Sequence, residues 1–395
     1  MSESRIYQFA KTLQETASQH RRHIHQNPEI AFQEFQTAEY AATELAALGF
    51  EVKRGIGKTG LVASLPVLRD GPRFLLRFDM DALAVPEQTG LEFASTKAGL
   101  MHACGHDGHV AIGLTTAKIL AEMKEELAGS YYLLFQPAEE IGKGAAAMLA
   151  DGVLEYINPD YAMAVHLWAE EPTGWLGITA GPVMAGSKAL RIKVHGVGGH
   201  SARPHKAVDP ILASAHLITA LQSIVSRKID PLESGAYSIT QIHAGSTINV
   251  IPDFVTMSGT PRFFTADVEE EIKTSTKQIC EGIANAFGCE IEVELEDNAP
   301  PLVNNPAICK AAQVAAKVID PNFVIEQQLK MMASEDMALF LQRIPGAMLF
   351  VGAGKESPAT RFPLHHPCFD IDETSLINAA SLLLETCQQL ALSVK

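Results

Sequence analysis

Strand-like segments alternate with segments of helical spacing through the first part of the chain, and that order constrains the fold more than any other feature. Residues 38–48 have helical spacing, and Gly49-Phe50 leads into a strand-like run to residue 54. Apolar strands are expected at 61–65 and 74–78, with a long helix at about 109–127. A strand at 131–135, a helix at 144–151 and a strand at 161–166 follow. Strands interleaved with helices predict a mostly parallel sheet covered on both faces.

From about residue 187 the texture changes. A half-exposed strand at 189–195 meets Gly196-Val197-Gly198-Gly199, and a helix at 209–224 comes next. Strands at 238–243 and 253–260, a helix at 268–286 and a strand at 290–294 complete the unit. The order βαββαβ predicts a ferredoxin-like α+β domain with helices on one face. After Pro300-Pro301 the first alternation resumes. The expected architecture is therefore α/β, a large domain at 1–186 and 297–395 interrupted by an inserted domain at 187–296. At 395 residues the chain exceeds one ordinary core, and its 47% hydrophobic content can fill both domains.

Lysine and arginine total 31 against 46 acidic residues, a formal charge of −15. Such a surface repels phosphate backbones, which argues against a nucleic-acid partner. Residues 1–19 read as a polar amphipathic helix rather than a signal peptide. No stretch approaches the roughly 20 apolar residues that span a bilayer, so no membrane association is expected. The six cysteines form no C-x-x-C pair, which suggests reduced thiols and a cytoplasmic protein. Cys280, Cys289, Cys309 and Cys387 read as small core residues.

Gly55-Ile56-Gly57-Lys58-Thr59-Gly60 satisfies G-x-G-x-x-G literally. The dinucleotide fingerprint requires those glycines to turn a strand into a helix, and here a second strand follows. A hairpin turn is the expected outcome. The chain has no G-x-S-x-G elbow and no H-E-x-x-H, which argues against serine hydrolases and single-zinc proteases.

The densest chemistry is Met101-His102-Ala103-Cys104-Gly105-His106-Asp107-Gly108-His109. A thiolate and an imidazole two residues apart on a turn can converge on one cation. Chance C-x-H pairs are common, but this one lies just before a long helix, where open α/β sheets build their sites. Glu139-Glu140 follows the strand at 131–135. Adjacent carboxylates are either a solvated loop or a working pair, with one on a metal and one free to take a proton from water. His166 ends the expected strand at 161–166 and is either a satisfied core residue or a ligand. Leu364-His365-His366-Pro367 lies near the end of the chain.

At these residues the sequence resembles the metal-dependent amidohydrolase and peptidase family of hippurate hydrolase, bacterial N-acyl-amino-acid amidohydrolases and plant auxin-conjugate hydrolases. The resemblance runs almost end to end. It includes Arg21-Arg22-His23-Ile24-His25-Gln26-Asn27-Pro28-Glu29, Arg77-Phe78-Asp79-Met80-Asp81-Ala82-Leu83 and the segments above. In the insertion it includes Gly198-Gly199-His200-Ser201-Ala202-Arg203-Pro204-His205, Asn249-Val250-Ile251-Pro252-Asp253 and Gly259-Thr260-Pro261-Arg262.

The resemblance implies that Cys104, His106, Glu140, His166 and His365 are metal ligands for two divalent cations, with Glu139 as general base. The thiolate of Cys104 would bridge the cations. Zinc suits the sulfur, while manganese, cobalt or nickel suit the carboxylate and imidazoles. The insertion would be a lid through which a homodimer forms, and His200 would steady the oxyanion in the partner's site. Asn249 and Arg262 would contact substrate, and Asp81 would orient a ligand imidazole. His102, His109, His23 and His25 would be structural or lie outside the ligand set. His366 could exchange with His365, and Cys368 is a further soft donor, expected to pack. The implied activity is hydrolysis of the amide bond of an N-acyl amino acid. A dipeptidase or carboxypeptidase of the same fold, or a non-catalytic metal-binding protein, are the alternatives.

Overall fold

The computed structural model describes residues 4–65 and 70–393. The chain divides into two compact units, one of residues up to 181 with 303–329 and 335 onward, the other of 182–302 with 330–334. The sequence division lay at 186/187 and 296/297. The segment 330–334 joins the second unit because Arg262 binds Met332 O and Ser334 Oγ, and Ser334 Oγ meets Ser187 Oγ at 3.1 Å.

The first unit is built on an eight-stranded sheet. Its centre is four neighbouring parallel strands, Ser130–Gln136, Arg73–Asp79, Tyr161–Pro172 and Gly346–Gly354. Every residue of Gly346–Gly354 is buried, as a strand covered on both faces must be. Antiparallel pairings extend the sheet outward, Gly60–Leu65 and Glu51–Ile56 on one side and Trp175–Gly177 on the other. Residues 56–60 form the turn of the Glu51–Ile56/Gly60–Leu65 hairpin, so the glycine fingerprint has no helix to cradle a phosphate.

Three elements differ from the sequence expectation. The long helix is His106–Met123, starting three residues before the predicted 109. Gly105, at φ 85° in the left-handed region, ends the preceding turn and opens the helix, while His106, Asp107 and Gly108 hid its start from an apolar pattern. The predicted strand 161–166 runs on as Tyr161–Pro172. Its last partner on the Arg73–Asp79 side is Ala164, opposite Arg77; beyond it the strand pairs with Gly346–Gly354 alone. His166 is therefore mid-strand, yet it lies just past the edge where the neighbouring strand stops. The predicted amino-terminal helix is two helices, Arg5–Lys11 and Gln14–Gln26, parted where Thr12 N and Leu13 N bond three residues back. Residues 1–3 of that prediction lie outside the described residues.

The second unit has a four-stranded antiparallel sheet in the order Gly235–Ala244, Phe254–Phe263, Gly186–His195, Glu290–Ala299. With the helices Pro210–Ser223 and Ala266–Phe287 this is the ferredoxin-like order predicted. Leu190, Ile192, Val194, Leu217, Leu221 and Ile272 form its core on one face. Glu290–Ala299 alternates between half-buried and exposed residues, the signature of a sheet with one wet face. Among the described residues no helix is long and apolar enough to cross a membrane.

Candidate metal centre

Four separate segments of the first unit bring their polar side chains together at the carboxyl ends of the parallel strands. Cys104 and His106 come from the turn that opens the His106–Met123 helix, and both are buried. Glu139 and Glu140 follow the strand Ser130–Gln136 through a tight turn in which Ala138 takes φ 54°. His166 stands on Tyr161–Pro172. His365 adopts φ 66° and is held by its backbone N–H, which donates to Ala103 O at 2.8 Å.

These side chains form overlapping donor groups. Cys104, His106 and His166 offer ligand atoms within 4.8 Å of one another, as do Cys104, Glu140 and His365, and His106, Glu139 and Glu140. Cys104 Sγ lies 3.7 Å from His166 Nε2, and His365 Nε2 lies 3.4 Å from Glu140 Oε2. His366 does not join them. Its Nδ1 accepts from Cys368 N at 3.0 Å and its ring stacks on Phe362, so the two histidines that the sequence left interchangeable are separated. The Cys368 thiol is directed to Gln88 O.

The backbone fixes which imidazole nitrogen is free. His106 Nδ1 donates to Asp81 O at 2.9 Å, and His166 Nδ1 donates to Leu167 O at 2.8 Å. Each ring therefore presents the lone pair of Nε2 to the cluster, the arrangement of a metal-binding histidine. Burial, reinforced by His109, pushes His166 down to about 3, which keeps it neutral. His106 Nε2 and Glu140 Oε1 are buried without a hydrogen-bond partner, 4.0 Å apart. Orphaned buried polar atoms that face each other call for an occupant. Burial and Glu140 push the Cys104 thiol up, more than the neighbouring His106 pulls it down; a divalent cation would favour the thiolate. The residues present fit a metal centre.

Asp81 orients more than an imidazole. Its carbonyl holds His106, while its carboxylate oxygens accept from Glu139 N and Glu140 N, each at 3.0 Å. It thereby fixes the turn that carries both glutamates. His109 uses both nitrogens, Nδ1 on Asp79 and Nε2 accepting from Leu167 N, so it is not available to a cation. His102 is buried and held neutral, pushed to about 3 by burial. His25 bonds Asp107 and Glu87, and His23 stacks on Tyr40.

Sequence reasoning missed the wall behind Glu139. Arg77 is fully buried and donates to Asp79, to Gln136 Oε1 at 2.9 Å, to Glu335 Oε1 at 2.8 Å and to Asp336 Oδ1 at 3.0 Å. Glu335 and Asp336 in turn lie close to Glu139, and burial together with those two carboxylates holds the Glu139 proton well above the usual carboxylate range. The signal was present: Glu335-Asp336 is an adjacent acidic pair like Glu139-Glu140.

In the second unit, His200 stands on the short strand Gly199–His200, paired with Val250–Ile251. Ser201 N donates to Asn249 O at 3.1 Å, which brings His200 and Asn249 to one exposed surface. Arg262 is half-buried and bound to the 330–334 segment as described.

The sequence pattern of peptidase family M20/M25/M40 matches residues 75–389. The chain belongs to this family, whose enzymes act on amide bonds. It is 39% identical over 375 residues to N-acetyl-L-cysteine deacetylase of Bacillus subtilis, covering 94% of this chain and 87% of the relative. It is 37% identical to thermostable carboxypeptidase 2 of Saccharolobus solfataricus, covering 93% of both chains. A crystal structure of a dinuclear metal-binding M20 peptidase from Bacillus subtilis superposes with TM-score 0.85 at 32% identity, over 97% of this chain and 99% of that one.

Proposed function

We propose that this M20-family enzyme hydrolyses the amide bond of an N-acyl amino acid, with Glu139 as general base. The observation that carries the reading is the buried, partnerless pair of His106 Nε2 and Glu140 Oε1, set beside Glu139 in a thiol-imidazole-carboxylate cluster. Cys104, His106, Glu140, His166 and His365 would hold two divalent cations, manganese or zinc foremost, with nickel or cobalt as other candidates. Bound there, such cations lower the pKa of water and polarise a carbonyl.

The chain's own residues do the rest. Asp81 clamps the glutamate turn from its backbone side, so the Glu139 carboxylate is presented to the cluster without being spent on a hydrogen bond to that turn. Glu139 takes a proton from the attacking water and delivers it to the departing nitrogen. The Glu335 and Asp336 carboxylates behind it strengthen its hold on that proton between the two transfers.

His200 would stabilise the oxyanion from a partner subunit, and Asn249 and Arg262 would hold the substrate carboxylate side. Support for a homodimer through the second unit comes from its free edge strand Gly235–Ala244 and from exposed Ile242, Ile248, Val250 and Phe254. Such apolar exposure beside an unpaired strand is a pairing surface. Light scattering that returns the monomer mass would remove His200 from this role.

Similarity to an N-acetyl-L-cysteine deacetylase supports the N-acyl amino acid substrate, and similarity to a carboxypeptidase supports cleavage of peptides as the second reading. Chelated protein reloaded with each metal and assayed on N-acetyl- and N-benzoyl-amino acids against free dipeptides separates them. Turnover confined to the dipeptides would overturn the first reading.

A further inference from the structure

We infer that Glu34 aims the Glu139 carboxylate at the donor cluster. It is a positioning residue that acts through the Ala138 amide and does not touch substrate. This role rests on the general-base reading of Glu139 above and names what sets the direction of that base.

Glu34 is fully buried at the entry to the helix Phe35–Ala47. Its Oε1 accepts from Phe32 N at 3.0 Å and from Ala138 N at 2.9 Å, and its Oε2 accepts from Thr59 Oγ1 at 2.5 Å. Each donor marks a strained turn. Among the described residues five non-glycine positions take a positive φ. Three of them, Phe32 at 60°, Lys58 at 77° and Ala138 at 54°, are bonded to Glu34 or adjoin Thr59, which is. Lys58 Nζ lies 3.9 Å from the Phe32 ring centroid, so two of these turns close on each other. Strained backbone of this kind persists only where its surroundings over-determine it, and one buried carboxylate meets all three turns.

Glu139 takes its direction from the last of these donors. Ala138 N ends on Glu34, while Glu139 N and Glu140 N end on Asp81. Three successive amides are thus held by two buried carboxylates, as the concave backbone around a left-handed residue permits. Glu34 fixes the near side of Ala138 and Asp81 the far side, and together they set the dihedrals from which the Glu139 side chain departs. Freed from Glu34, Ala138 is drawn towards the ordinary negative-φ region and Glu139 turns with it. Asp81 still holds the Glu140 amide, so proton transfer suffers before metal retention does.

The test compares Glu34→Met, which keeps the bulk and removes both acceptors, with Glu34→Gln. In the glutamine variant Oε1 can still accept from the two amides, and the Thr59 hydroxyl can accept from Nε2. In metal-loaded protein, Glu34→Met should lower kcat for an N-acyl amino acid about 10- to 100-fold, with KM within about twofold and metal content unchanged. Amides of the segment 136–144 should exchange with solvent faster than in the wild type. Glu34→Gln should recover most of the kcat loss. In a Glu139→Gln background, Glu34→Met should lower kcat no further, because residues that act as one unit are not additive. A purely structural role would lower both backgrounds alike. If Glu34→Met does not fold, Thr59→Val removes a single donor to the same carboxylate. It should lower kcat about 2- to 10-fold in the wild-type background and leave the Glu139→Gln background unchanged. Unchanged kcat in the folded variant, a loss that tracks lost metal, or an equal loss in both backgrounds overturns the assignment. Full turnover by Glu139→Gln, with faster exchange of 136–144 in Glu34→Met, would count against the base reading alone.

Discussion

At the scale of single residues, the centre depends on backbone groups as much as on ligands. Asp81 is the clearest case, since one residue sets the tautomer of His106 through its carbonyl and the position of Glu139 and Glu140 through its carboxylate. Asp81→Ala should keep the fold and lower metal affinity about 10- to 100-fold, read by competition with a chelating dye. Unchanged affinity would show that the turn holds itself. His25 offers a pH signature. Burial works against its charge, but Asp107 and Glu87 outweigh burial, so its folded proton affinity lies above the ordinary histidine value. The stability it contributes is fully present below the unfolded pKa of about 6.5 and fades as pH rises through the higher folded value. The difference in Tm between wild type and His25→Gln should therefore shrink as pH rises above about 6.5; a constant difference would contradict this. Sequence made the donor residues legible because thiols, imidazoles and paired carboxylates are scarce. It could not show that Asp81 acts through its carbonyl, nor that Arg77 gathers Glu335 and Asp336, pairings that depend on tertiary approach over more than 250 positions.

At the scale of elements, strands and helices were legible wherever apolar periodicity marked them, and their ends were not. The strand to Pro172 outran its pattern because pairing with Gly346–Gly354 continues after Arg73–Asp79 has stopped. That overrun carries His166 past the point where the Arg73–Asp79 strand stops. The glutamate turn is equally specific. A Cβ on Gly144 would fall 1.6 Å from Pro137 O, and Ala138 already occupies a left-handed conformation. Gly144→Ala should lower stability by about 1–3 kcal/mol in denaturant unfolding and weaken metal binding together with it. Lost stability with intact metal affinity would separate the turn from the centre.

At the scale of the whole molecule, an acidic α/β unit carries the donor cluster and a ferredoxin-like unit interrupts it in sequence, as the order of elements predicted. The division of labour is chemical. The first unit supplies thiol, imidazole and carboxylate groups in a buried setting, and the second carries His200 and Asn249 on an exposed surface. In the proposed function, a two-cation centre with Glu139 beside it cleaves an amide. The most direct measurement titrates metal into chelated protein while following hydrolysis of an N-acyl amino acid, with Glu139→Gln carried through the same titration. Activity should be absent at the start and reach its plateau at two ions per chain, and the variant should bind the same number of ions while losing about 100- to 10,000-fold in kcat. Hydrolysis that persists after chelation, or a Glu139→Gln protein that turns over like the wild type, would contradict it.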